Sequence, residues 1–355
     1  MSEISKDFKK NRIDFSNKIT FLQFALSILI VYQHTSWRYN GSLLALSQIH
    51  GFLFYLTQTA VPLFFMISGY LFYRTFKIEK AVDKLKSRIK TLVVPYLIWN
   101  VIYAVGMILL KHFGFVNSVH IENNWKLLLQ ILNSDFSPLW FVKYLIVFSL
   151  IGPLMYYVFK NKYIGAIAVV TIFVSNLLFC TLGIVETPIN VNSNNPVMFN
   201  YQYVFYAIGA YSAIHLKEVV EKPNKTRAVS GAIILGILCV LYWMPFFETN
   251  VIVGHTFRLI FGIALWFACD FIKNIETPSY MRMSFFIYCA HLLPLQCLQA
   301  LIRLILNKLD ISFGVFYVIE WIALPICLVA AIIFIGNVMK KYLPKAWNIL
   351  TGSRA

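Results

Sequence analysis

The sequence predicts an all-α fold, a polytopic transmembrane helical bundle of about ten spans with its N- and C-termini cytoplasmic. Three observations carry this. The chain is 59% hydrophobic and 13% charged, with a mean hydropathy of +0.69 over 355 residues, more apolar surface than one water-soluble core encloses. Its apolar residues come in long unbroken runs, unlike the alternating segments of roughly ten residues that make barrel strands. Finally, Lys and Arg gather in alternate connecting segments, as they do beside membrane helices.

A span needs roughly 20 mainly apolar residues. Runs at 18–37, 52–73, 92–112, 138–159, 163–182, 199–216, 229–247, 253–273, 284–306 and 313–339 meet that need. The charged leader 1–17 precedes the first run without a small-residue cleavage site, so the first span is expected to stay in place. Between the second and third spans lies a basic loop, 74–91, whose "IEKAVDKLKSRIK" reads as helical. The segments 113–137 and 185–200 are longer interruptions, and a tail covers 340–355. With the leader, the 74–91 loop and the tail placed inside, 24 of the 31 Lys and Arg fall on the cytoplasmic side, four on the other, and three within spans. That asymmetry sets the orientation. It also accounts for the net charge of +16, whose carriers sit in short loops beside anionic lipid, so no nucleic acid partner is expected. On this topology 113–137 and 185–200 face outward; their asparagines, Trp125 and Asp135 read as solvated loop in preference to sugar contacts. All six cysteines fall within spans without CxxC spacing, which suggests neither a disulfide framework nor a metal site. Residues 1–355 read as a single integral membrane domain.

Polar residues inside the spans are the functional candidates. Thr20, Gln23, Ser27 and His34 share a stripe about 60° wide on the first helix at 100° per residue. Such a stripe lines a cavity or grips a neighbouring helix. For Thr20 and Ser27 packing is the simpler reading; His34, an ionisable group within a span, is a functional candidate. In the second span, "AVPLFFMISGYLFYR", Pro62 removes the helical partner of the Gln58 carbonyl, and Ser68-Gly69 offers a small surface for close approach. Ser284, Tyr288 and His291 lie near one face of the ninth span. Arg258 and Arg303 are able to neutralise an anionic group, though Arg303 more simply snorkels. His112, His120, His215 and His255, near span ends, are assigned no role.

Five segments in order, "VPLFFMISGYLF" followed by Arg74, "LKSRIKTLVVPYLIWN", "SPLWFVKYLIVFSLIGPL", "YQYVFYAIGAY" and "MSFFIYCAHLLPL", resemble the membrane acyltransferase 3 family. Its members move acetyl or related acyl groups from a coenzyme A thioester to sugars of surface polysaccharides such as enterobacterial common antigen. The resemblance covers spans one to nine. It implies a multi-pass enzyme of the bacterial inner membrane with acetyl-CoA as co-substrate, no bound cofactor, and a polysaccharide or lipid-linked sugar as acceptor. It adds weight to His291 as a functional residue beside His34. Members usually carry an Arg eleven residues before the His of the first helix; here that position is Gln23. The spacing, about three turns on one face, is kept and the charge is not.

O-acylation needs a hydroxyl to lose its proton as it attacks the thioester carbonyl, which a neutral imidazole within reach supports. His34 is the candidate base. Ser68, Trp140 and the neighbourhood of His291 are available as donors to the oxyanion; no nucleophile–base spacing argues for a covalent acyl-enzyme on Ser68 or a cysteine. Gln23, Ser68, Arg74 and Arg88 are the candidates for holding the donor, whose phosphates the 74–90 segment attracts, and Trp140 and Arg258 for the substrate pocket. A pantetheine arm threading between spans would bring the thioester to His34. The competing class is a transporter or flippase for a sugar or lipid-linked glycan; no second copy of the first two spans appears, which counts against it. A membrane scaffold is the third class, and labelled acetyl-CoA separates the enzyme from both.

Overall fold

The computed structural model describes residues 3–36, 44–114, 123–182, 196–244, 251–272, 276–309 and 314–354. They are helical throughout, with no strand among the described residues. In chain order the helices are α1 (Glu3–His34), α2 (Leu44–Thr57), α3 (Ala60–Arg74), α4 (Ala81–Arg88), α5 (Val94–His112), α6 (Asn124–Asn133), α7 (Trp140–Phe159) and α8 (Lys162–Thr181). There follow α9 (Pro196–His215), α10 (Lys217–Glu221), α11 (Lys225–Leu241), α12 (Val251–Ala268), α13 (Ser284–Ala290), α14 (Leu292–Lys308), α15 (Gly314–Tyr342) and α16 (Pro344–Thr351).

Seven helices among the described residues are long and apolar enough to cross a membrane, or eight when α13 and α14, bent by 68° at their junction, count as one broken span. The ten expected from the sequence are not reached. Helices occupy the other two positions, α9 and α11, but α11 has only 17 residues, and the Asn, Gln and Tyr residues of α9 dilute its apolar character. The basic loop is helical as expected, through α4 and a wider π-turn at Ile89–Val93. The π-turn precedes Pro95, which cannot donate to the carbonyl of Thr91. Of the segments expected to face outward, 115–122 and 183–195 lie outside the described residues.

The chain forms two compact units. The first takes residues 1–23, 58–85 and 144–281. Its α3 and α9 meet backbone to backbone: a methyl group on Gly69 would overlap the carbonyl of Tyr206, and one on Gly209 that of Met66. Small residues permit this approach where apolar collapse supplies no driving force between helices. Phe65, Phe148, Tyr203 and Tyr206 fill the space beside them, with ring centroids 5.0–5.6 Å apart for Phe148 with Tyr203, Tyr206 and Phe65. A buried ion pair, Lys18 to Asp270 at 2.6 Å, ties α1 to the turn after α12. Asp270 also accepts the N–H of Asn224, the residue that caps α11, and so both its oxygens are used.

The second unit takes residues 24–57, 86–143 and 282–355. The fully buried Trp347 of α16 packs at a tilt against Phe286, 4.8 Å between centroids, and rests close to Gly336 of α15. Trp99 of α5 donates its indole N–H to the Leu350 carbonyl at 3.0 Å. These contacts fix the C-terminal helix against α5 and α13, the elements that build the site.

Candidate functional site

The site begins with Pro294. Proline lacks an N–H and its ring crowds the carbonyl four residues back, which is that of Ala290. Helix α13 ends at Ala290, and α14 starts at Leu292 with the 68° bend at His291. The sequence presents 284–306 as one continuous span; the structure breaks it, so the shared face of Ser284, Tyr288 and His291 does not run through the span.

A break at membrane depth needs partners for the freed backbone groups. Tyr103 of α5, 1% exposed, provides two. Its hydroxyl donates to the Cys289 carbonyl at 2.9 Å and accepts the Leu292 N–H at 3.2 Å. The Tyr288 carbonyl is taken by His291 itself, through Nδ1 at 2.8 Å. Because a carbonyl only accepts, Nδ1 carries the proton, and Nε2 is left as the lone-pair nitrogen. That Nε2 is buried and has no hydrogen-bond partner among the described residues.

His34 meets this ring. Their centroids lie 5.2 Å apart with the planes at 42°. His34 is the last residue of α1, and the hydroxyl of Thr35 after it donates to the Val31 carbonyl at 2.9 Å. His291 is 0% exposed, and His34 is half-buried as a residue. Tyr288 closes the far side, its ring 6.2 Å from that of His291 and its hydroxyl donating to the Pro138 carbonyl.

The other sequence candidates divide between the units. Trp140 and Arg88 belong to the second, each half-buried; Trp140 opens α7 one residue before Phe141, whose ring is 5.8 Å from that of Tyr288. Gln23, Ser68, Arg74 and Arg258 belong to the first. There Arg74 makes a two-point ion pair with Glu221, at 2.6 and 3.2 Å, and Tyr70 adds a hydroxyl to the same carboxylate at 2.8 Å. Arg258 donates to the Gln58 side chain, at the interruption between α2 and α3 that Pro62 anticipates. Thr20 and Ser27 spend their hydroxyls on carbonyls of their own helix, Ser16 and Phe24. Arg303 is exposed and bonds within α14 to the Gln299 carbonyl. The first unit also carries a half-open apolar pocket of about 260 Å³, bordered by Leu63, Tyr70, Ile208 and Trp266 among others.

Tyr103 is the residue that sequence reasoning missed. It sits in an ordinary apolar run, and only the proline four residues after Ala290 signals that something must bridge a break.

The family model described as an acyltransferase domain, acyltransferase 3, matches residues 17–337, a stretch that takes in both histidines and Tyr103. Comparison with curated proteins and with solved structures finds no match.

Proposed function

The chain belongs to the acyltransferase 3 family, and from this premise we propose that it transfers an acetyl or related acyl group from a coenzyme A thioester to a sugar hydroxyl of a cell-surface polysaccharide or lipid-linked glycan. One observation carries the reading: the ring of His34 stands beside an imidazole whose Nδ1 is bound to a backbone carbonyl. In this account one nitrogen of His34 accepts the proton of the acceptor hydroxyl as its oxygen attacks the thioester carbonyl. The other nitrogen donates to Nε2 of His291, which holds the ring in place and disperses the charge of the imidazolium toward the Tyr288 carbonyl. A base oriented by a second group is the recurring arrangement for activating a weak nucleophile. As the C–S bond breaks, the proton on His34 passes to the departing thiolate, giving the ester and free coenzyme A.

Arg88 is assigned to the anionic part of the donor and Trp140 to the substrate pocket, both in the unit that holds the histidines. Both termini are taken as cytoplasmic in a bacterial inner membrane, from the Lys and Arg asymmetry.

The test is acyl transfer from radiolabelled acetyl-CoA to the cells' own glycans in membranes from expressing cells. His34→Ala should lower turnover by a factor of ~10²–10⁴, and His34→Gln nearly as much, since it restores hydrogen bonding without basicity. Wild-type turnover in both variants would reduce His34 to packing. The two interrupted helices, at 58–59 and at His291, are the feature that favours a transporter. Glycan uptake into vesicles without any acyl transfer would establish that alternative.

A further inference from the structure

Beyond His34 and His291 the second unit carries a set of amides with unmet hydrogen bonds. Gln299 of α14 is 3% exposed, and its Nε2 has no partner among the described residues. Its Oε1 accepts from the hydroxyl of Ser36 at 3.4 Å. Ser36 is exposed and stands two residues beyond His34. Gln296, one turn earlier on α14, and Gln33, beside His34, each hold a buried Oε1 that also lacks a partner.

A buried amide whose donor is unmet among the described residues is not packing glue, because an unbonded polar group in a membrane interior is costly to keep. Gln299 offers a donor at Nε2 and an acceptor at Oε1. A phosphate or carboxylate only accepts and would leave Oε1 unmet, whereas a hydroxyl does both. The ligand that matches is a neutral polyol. The place matches too: His291 and Gln299 are eight residues apart, about 12 Å along the helix, while Ser36 can be no more than ~7 Å of chain from His34.

We propose that Gln299, with Ser36 in front of it, forms a subsite that binds a second hydroxyl of the sugar acceptor while His34 acts on the first. This rests on the reading of His34 as the base. The subsite is entered when the Ser36 hydroxyl leaves Gln299 Oε1 and the acceptor hydroxyl replaces it, donating to Oε1 and accepting from Nε2. Gln299 is thus a specificity residue: it selects an acceptor that carries a hydroxyl at that reach, and it leaves the acyl donor alone.

The experiment measures two products of radiolabelled acetyl-CoA in membranes from expressing cells, acyl groups on the cells' own glycans and free acetate from water. Gln299→Leu removes the amide. It should lower the ratio of transfer to hydrolysis at least tenfold, with the change in KM for the glycan and not in that for acetyl-CoA. Gln299→Met, of similar length, removes both the donor and the acceptor and should do the same; it serves if the leucine variant does not fold, as judged by its elution and melting in detergent. Ser36→Ala should shift the ratio by less. A folded variant that loses both products in proportion would make Gln299 a structural support for His34, and an unchanged ratio would leave it with no role in binding; either overturns the subsite. Failure of the base reading is a different result: His34→Ala would then leave both products at the wild-type level, and the subsite would fall with it.

Discussion

Tyr103→Phe tests how the site is built. The substitution removes one oxygen and leaves the ring in place. The Cys289 carbonyl and the Leu292 N–H then lose their partners in a place with no water to replace them. By values from water-soluble proteins, stranding a buried polar group costs about 1–3 kcal/mol, so two would cost about 2–6 kcal/mol. Hydrogen bonds inside membranes return less, about 0.6 kcal/mol on average, because the inserted but unpacked chain finds partners of its own. The membrane figure sets the floor and the burial of both groups raises it, so the expected loss is about 1–3 kcal/mol. Since Leu292 follows His291, the looser break should also move the imidazole away from His34. The readouts are the melting midpoint of the purified protein in detergent and the steady-state rate of acyl transfer, in which kcat should fall more than the KM for acetyl-CoA rises. A variant that melts with the wild type and turns over at the wild-type rate would refute both the bridging role of the hydroxyl and the dependence of His291 on it.

Gly209→Ala should cost about 1–3 kcal/mol of stability in detergent melting, as overpacking does, because the new methyl meets the Met66 backbone; Gly236→Ala, which has open space around it, should be tolerated. Burial works to raise the Glu221 carboxyl, but the hydrogen bonds and charge of Arg74 and the hydroxyl of Tyr70 outweigh it and hold the group below its ordinary value. A depressed carboxylate stabilises the fold above its unfolded pKa, near 4.3, and that contribution is lost as pH falls through the folded value. Melting followed from pH 7 downward should therefore show a smaller acid loss for Glu221→Gln than for the wild type. Gln23→Arg should give folded protein if the Gln23 face of α1 borders a polar space and little folded protein if it packs against apolar side chains; detergent-stable yield with the KM for acetyl-CoA decides.

The helical class and the approximate positions of the spans were legible because apolar run length is a one-dimensional property. Helices occupy all ten expected places, yet two fall short of a full span by length or polarity. His34 and His291 were both legible as candidates, as ionisable groups within apolar helices. Their meeting was not, since they are more than 250 residues apart and no periodicity within one helix reports on another. Arg74 illustrates the opposite case. Its cationic end is plain in the sequence, while the carboxylate that occupies it, Glu221, lies in a short helix 147 residues later.

The prolines explain why the broken helices were the hardest feature to foresee. Pro62, Pro153, Pro294 and Pro325 lie well inside apolar runs, and each deprives a carbonyl of its partner. Helices α7 and α15 nonetheless continue through Pro153 and Pro325, whereas the chain interrupts before Pro62 and at His291. Proline alone therefore does not decide. What distinguishes the His291 break is a side chain from another helix with both a donor and an acceptor at the gap, the Tyr103 hydroxyl; a break without such a partner would strand its backbone in a medium that offers no water. The break leaves the Tyr288 carbonyl to a ring nitrogen, and that bond assigns the proton on His291. The chemistry ascribed to the pair of histidines thus depends on a tyrosine that touches neither of the reacting groups.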